Sequence, residues 1–187
     1  MPPKVKVTKE DIIKTALEIV RSGGAEAINA RSIAAELGCS TQPIFSNFSS
    51  MEELEEAVIS AAHDIYLGFL ESEAKSGKYP EYKAFGMAYI RFAKQERELF
   101  KLLFMYDRQG VELDTSADFE VSVEYIMKAS GMTRERAKLM HLEMWICVHG
   151  IATIVATSFL ELDTELISSM LTDVYQGLRT RHTEEEK

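Results

Sequence analysis

Apolar residues along this chain recur at intervals of three and four, and no stretch alternates apolar and polar positions for the length of a strand. That periodicity predicts an all-α protein. A first helix is expected to start at Thr8, where Thr8-Lys9-Glu10-Asp11 resembles a capping box, to bury Ile13, Ala16, Leu17 and Val20, and to stop at Ser22-Gly23-Gly24. A second is capped by Asn29 and ends at Gly38. A third is capped by Ser40 and runs to about Asn47, with Pro43 tolerated in its first turn, where an N–H has no intrahelical partner.

A long helix follows from Met51 to about Ala74, broken by Ser76-Gly77-Lys78-Tyr79-Pro80. Further helices are predicted near Glu81 to Gln95, Glu96 to Met105, Ala117 to Ala129, Arg134 to Phe159 and Thr164 to Arg181, with Gly131 and Leu162-Asp163 as separators. The expected organisation is a three-helix headpiece over 1–51 and a larger helical body over 52–187.

The segment from Ile33 to Phe45 changes the picture from fold to function. Two helices that cross steeply over a short turn need a small residue at the crossing and a glycine at the turn, and Ala34 and Gly38 supply them. Ile33, Leu37, Cys39 and Ile44 have the spacing to pack beneath the corner. The opposite side carries Thr41, Gln42, Ser46 and Asn47, short polar side chains able to reach base edges in a DNA major groove. A corner of this shape also occurs in helical proteins that bind nothing, so the function rests on the surrounding pattern as well.

Charge supports a nucleic-acid partner only once it is divided along the chain. The net charge of −9 argues against phosphate binding, yet residues 1–51 hold six basic residues (Lys4, Lys6, Lys9, Lys14, Arg21, Arg31) and five acidic ones, so the remainder carries −10. A near-neutral headpiece with an acid-free basic start is attached to an acidic body.

These residues together resemble the DNA-binding domain of the TetR family of repressors (TetR/AcrR type). Ile33-Ala34, Gly38, Ser40, Phe45, Phe48 and Leu54 line up with the family's "IAxxxGxS" turn, recognition-helix aromatic and following "xxFxxKxxL" stretch. Phe45 stands where the family often has tyrosine, Asn47 where it often has histidine, and Met51 where it usually has a phosphate-contacting lysine. The loss of a hydroxyl and a positive charge shifts backbone contact toward Lys4, Lys6, Lys9 and Arg31. Trp145-Ile146-Cys147-Val148-His149-Gly150 resembles the tryptophan-histidine-glycine signature of one group of C-terminal domains in that family. The resemblance implies nine helices, a homodimer built from the last two long helices, and a ligand cavity in the body that sets the spacing of two headpieces on double-stranded operator DNA.

In the body, Phe85, Met87, Tyr89, Phe92, Phe100, Phe104, Met105, Tyr106, Met140, Met144 and Trp145 form the kind of stripe any helical bundle needs for its core. Trp145 and His149 stand out, since they are one turn apart, bring an N–H and an imidazole into an apolar helix, and precede Gly150, which costs about 1 kcal/mol relative to alanine in mid-helix. A cavity wall or a close helix contact would each account for that cost. The expected ligand-lining set is Phe92, Met140, Met144, Trp145 and His149, suited to an apolar or aromatic small molecule.

Several function classes find little support. Cys39 and Cys147 are far apart and lack CxxC spacing, and His63, His141, His149 and His182 include no i, i+4 pair, so neither a disulfide framework nor a metal site is expected. No glycine-rich phosphate loop, GxSxG or cluster of catalytic groups suggests an enzyme or a cofactor. No window approaches the run of about 20 apolar residues needed to span a membrane, and there is no stretch of signal-peptide length at the N-terminus, so the expected location is the cytoplasm. The expectation is a sequence-specific regulator, a repressor released by a small molecule. A helical adaptor that uses the headpiece as a scaffold is the alternative, and an enzyme the remotest one.

Overall fold

The computed structural model describes residues 7–105 and 117–184. Among them are nine α-helices and no strand: α1 (Lys9–Gly23), α2 (Ala30–Glu36), α3 (Gln42–Asn47), α4 (Met51–Ser76), α5 (Glu81–Gln95), α6 (Arg97–Phe104), α7 (Ala117–Ser130), α8 (Arg134–Ala156) and α9 (Thr164–Glu184), with a single 3-10 turn at Ala25–Ala27. Lys4, Lys6, Tyr106 and the Asp107-Arg108 pair lie outside the described residues, as do Glu185, Glu186 and Lys187.

The chain divides into two compact units, Met1–Gly68 with Gln95–Tyr106, and Phe69–Lys94 with Asp107–Lys187. In the first unit α1 packs against α2, α3 and α6. Its start is fixed chemically: the Thr8 hydroxyl accepts from the Asp11 N–H at 3.1 Å while the Asp11 carboxylate accepts from the Thr8 N–H at 3.0 Å. The Thr8 N–H and, at 2.9 Å, the Thr8 hydroxyl donate to the Asp11 carboxylate and hold it below its ordinary pKa. The buried face is Ile12, Ala16, Leu17, Ile19 and Val20, with Ile13 only half-buried, so the core stripe sits slightly to one side of the predicted one. Arg21 closes the other end of α1 with a two-pronged ion pair, its Nε and Nη2 lying 2.8 and 2.9 Å from the Glu96 carboxylate just before α6. Glu96 is the chief reason the guanidinium pKa is raised.

In the second unit α8 packs between α7 and α9. Met140 belongs to a core of Phe119, Val123, Ile126, Met132 and Ala137. Gly86 of α5 marks a close approach, since a Cβ there would lie 3.3 Å from Val148 and 3.5 Å from Leu171. By length and composition α8 does qualify as a span, with a mean hydropathy of 1.5 over its most apolar window, which corrects the expectation that no segment comes near. The excess apolarity is real but only partly used within one chain, because a third of that window is buried.

Candidate nucleic-acid interface

The corner between α2 and α3 is built by local chemistry. Asn29 caps α2 by accepting from the N–H groups of Arg31 (3.0 Å) and Ser32 (2.9 Å), and its own N–H donates back to the Ser32 hydroxyl at 3.1 Å. At the other end Gly38 adopts φ +62°, the Gly38 N–H reaches Ala35 O and the Cys39 N–H reaches Ala34 O at 2.9 Å. This is the paired-bond ending that glycine permits in the left-handed region. Ile33, Ala34, Ile44 and Phe48 are buried beneath the corner, while Leu37 and Cys39 are half-buried.

The third helix starts later than Ser40. Its N-cap is Thr41, which has helical backbone angles and makes no side-chain cap bond, so Ser40 sits exposed in the turn ahead of it. Pro43 then stands in the first turn, where an N–H has no intrahelical partner. The helix is six residues long, and only part of it faces outward. Gln42, Phe45 and Ser46 are exposed, and Thr41 is half-buried. The Ser46 hydroxyl donates to Gln42 O at 2.8 Å, which leaves its lone pairs outward as acceptors. Asn47 departs from the expected outward set: its amide donates to Pro43 O at 2.8 Å and reaches toward Val7 O at 3.5 Å, and the residue is half-buried.

The cations differ in how committed they are. Lys9 Nζ sits 4.5 Å from the centre of the Phe48 ring and 3.1 Å from the Glu53 carboxylate. Glu53 also accepts from the Ser49 N–H and hydroxyl, both at 2.7 Å, and these bonds with Lys9 bring its pKa down to about 2. Arg31 is exposed and makes no ion pair among the described residues, so its charge is available to a phosphate. Arg31, Thr41 and Phe45 line one open depression together with Asn29 and Ala30.

The five expected ligand residues are distributed over the second unit. Trp145 and His149 stack, and His149 Nδ1 lies 2.9 Å from the Tyr89 hydroxyl of α5. Phe92 is buried edge-on against Phe69, and Met140 sits in the α7–α8 core. Met144 is buried. A second tyrosine–histidine pair, missed in the sequence, joins Tyr82 and His141 at 2.8 Å, with Tyr125, Tyr175 and Phe119 ringed around it. Tyr82 and Tyr89, two turns apart on α5, each meet a histidine of α8, a pairing that no local sequence pattern announces. Of the described surface, a second open depression is lined by Gln176, Arg179, Thr180 and Thr183, and none of the five lines either depression. Among the described residues no group of histidine, cysteine and carboxylate side chains could hold a metal.

Residues 82–174 match the family model described as the tetracyclin repressor-like C-terminal domain. No curated protein matches the chain in sequence. Among solved structures, a protein of unknown function from Rhodococcus sp. RHA1 superposes with a TM-score of 0.74 at 21% identity, covering 96% of this chain and 99% of that one. A TetR-like transcriptional regulator from Rhodococcus sp. RHA1 superposes with a TM-score of 0.68 at 15% identity, covering 93% and 97%. The multidrug-binding protein EbrR, in complex with imidazole, gives 0.59 at 16% identity over 89% and 93%. A body that matches this model, a nine-helix fold shared along almost its whole length, and a helix-turn-helix head define one class. Residues 82–174 belong to the tetracyclin repressor-like C-terminal domain family, and the fold is the one seen in the TetR-like structures.

Proposed function

We propose that the protein is a cytoplasmic, homodimeric repressor that holds double-stranded operator DNA through α3 and lets go when an apolar or aromatic small molecule binds its body. The observation that carries the reading is the outward face of α3, where Gln42, Phe45 and Ser46 stand exposed beside the uncommitted Arg31. Gln42 and Ser46 read base edges, Thr41 and Ser40 flank them, and Arg31 with Lys4, Lys6 and Lys9 holds phosphates. Lys9 contributes least, because Glu53 already occupies it.

Support for the dimer comes from a pattern repeated on two helices. Leu139 and Ile146 of α8 are 45% and 58% exposed, and Gly150 follows on the same face, while Leu166 and Met170 of α9 are 46% and 37% exposed, followed by Gly177. The spacings, seven then four on α8 and four then seven on α9, each place a glycine three turns from the first apolar residue. A Cβ at Gly150 or Gly177 would meet nothing within 4 Å. Close contact within the chain therefore does not account for Gly150; a helix of a second copy does.

Trp145, His149, Met144, Phe92 and Met140 are the proposed ligand-facing set, with Trp145 and His149 its polar end and the Trp-His-Gly grouping its signature. A ligand can act on DNA only through unequal affinity for two arrangements of the protein, and α4, which starts directly after the head and runs on past Gly68, is the element that would carry the difference. The functional division proposed is 1–51 for DNA and 52–187 for ligand and partner. Footprinting on the DNA upstream of the protein's own coding sequence tests it: protection of a two-fold symmetric site, lifted by an apolar aromatic compound, is expected, and protection indifferent to sequence refutes it.

A further inference from the structure

Phe45 is 51% exposed on α3, while the other large apolar side chains of the corner, Ile33, Ile44 and Phe48, are buried. About half of its surface is left uncovered by the described residues, and that apolar area leaves water only when something else covers it. The residue one turn earlier on the same face is Thr41, half-buried and carrying a methyl beside its hydroxyl, and both line the open depression with Arg31. The adjacent stripe, Gln42 and Ser46, is polar. The recognition helix thus presents two parallel rows one residue apart, one apolar and one hydrogen-bonding.

Of the groups in a major groove only the C5 methyl of thymine is apolar, and a glutamine amide pairs in two-pronged fashion with the N6 and N7 edge of adenine. A phenylalanine ring has no donor for a phosphate or a base edge. Resting on the reading of α3 as the DNA-contacting helix, we propose that Phe45, with Thr41, reads a thymine methyl at one position of each operator half-site, next to the base read by Gln42. Half-sites then contain a thymine adjacent to an adenine in the recognised strand pair. Arg31, at the rim of the same depression, takes the neighbouring phosphate and fixes the register without selecting sequence.

The test uses the full chain and a duplex enriched from a random library by the protein itself. Each thymine of the enriched site is replaced in turn by deoxyuridine, which removes only the methyl, and affinities are measured for the wild type and for Phe45→Ala. Phe45 is exposed, so the variant is expected to keep its circular dichroism and melting profile. One thymine per half-site is expected to show a loss of about threefold to fivefold on replacement, the value of one buried methyl-sized group. That loss is expected to vanish in Phe45→Ala. Indifference of the wild type to deoxyuridine everywhere, or a loss that persists undiminished in Phe45→Ala, overturns the assignment while leaving α3 as the reading helix. Uniform weakening of Phe45→Ala on every duplex also overturns it, by placing the ring on the sugar-phosphate backbone. Failure to enrich any sequence removes the regulator reading itself, and this assignment with it.

Discussion

The indole of Trp145 lies parallel to the imidazole of His149, the ring centres 5.0 Å apart and the planes within 8°, and the far side of this pair is anchored because His149 Nδ1 meets the Tyr89 hydroxyl. Trp145 is the single tryptophan of the chain, so its emission reports on this stack alone. Apolar aromatic compounds are expected to quench or shift that emission and to release operator DNA over the same concentration range. Trp145→Phe is expected to keep DNA affinity within about twofold while changing the concentration of compound needed for release, since a body residue proposed to face the ligand alters coupling and not the α3 surface. A Trp145→Phe protein that loses its body helicity, with no compound ever releasing DNA, makes Trp145 a packing residue.

Tyr82 and His141 set a pH limit on the body. Burial pushes the Tyr82 hydroxyl above its usual range and the His141 imidazole down to about 4, so both groups are neutral and share a hydrogen bond between the hydroxyl and Nδ1. The groups around the imidazole are Tyr82 and Phe119 directly, with Tyr125 and Tyr175 behind Tyr82 and no cation among them. An unfolded histidine binds its proton near pH 6.5 and the folded one only near 4, so stability is full above about 6.5 and falls as pH drops toward 4. The melting temperature of the wild type is expected to decline through that window, and His141→Gln to decline less. Equal slopes for the two proteins would show that another group sets the acid limit.

Gly150 separates the dimer from simple helix stability. A Cβ there meets nothing within 4 Å, and alanine raises helix propensity by about 1 kcal/mol, so a monomer should gain stability from Gly150→Ala. In a dimer whose α8 helices approach at Gly150, Gly150→Leu and Ile146→Glu should both push the subunits apart. Light scattering at micromolar concentration is expected to give twice the chain mass for the wild type and a single chain mass for the variants. A wild-type monomer, or variants that remain dimeric, would move the interface elsewhere.

Helix positions were legible in the sequence because their ends carry their own chemistry. Thr8 with Asp11, Asn29 with Ser32 and Gly38 satisfy backbone groups locally, and the structure puts α1, α2 and their turn where those residues demand. Ser40 was read as a cap because serine is a good one, but α3 begins one residue later, behind Thr41. Asn47 was read as a base reader from its chemistry alone, whereas its amide has nearer acceptors in Pro43 O and Val7 O, a competition visible only in three dimensions. The Lys9–Glu53 pair spans more than forty positions and no local pattern announces it. In the body the pairing of Tyr82 with His141 and Tyr89 with His149 depends on helix packing that periodicity leaves undetermined.

The central claim, that α3 reads sequence while Arg31 holds backbone, is tested most directly by measuring binding to an enriched operator duplex and to an unrelated duplex across a range of salt. The wild type is expected to prefer the operator by roughly a thousandfold or more. Gln42→Ala should lose about 1–3 kcal/mol on the operator and little on the unrelated duplex, whereas Arg31→Ala should weaken both alike and lower the salt slope by about one per subunit. Equal losses on both duplexes for Gln42→Ala, or a wild type that binds the two with the same affinity, would contradict the account.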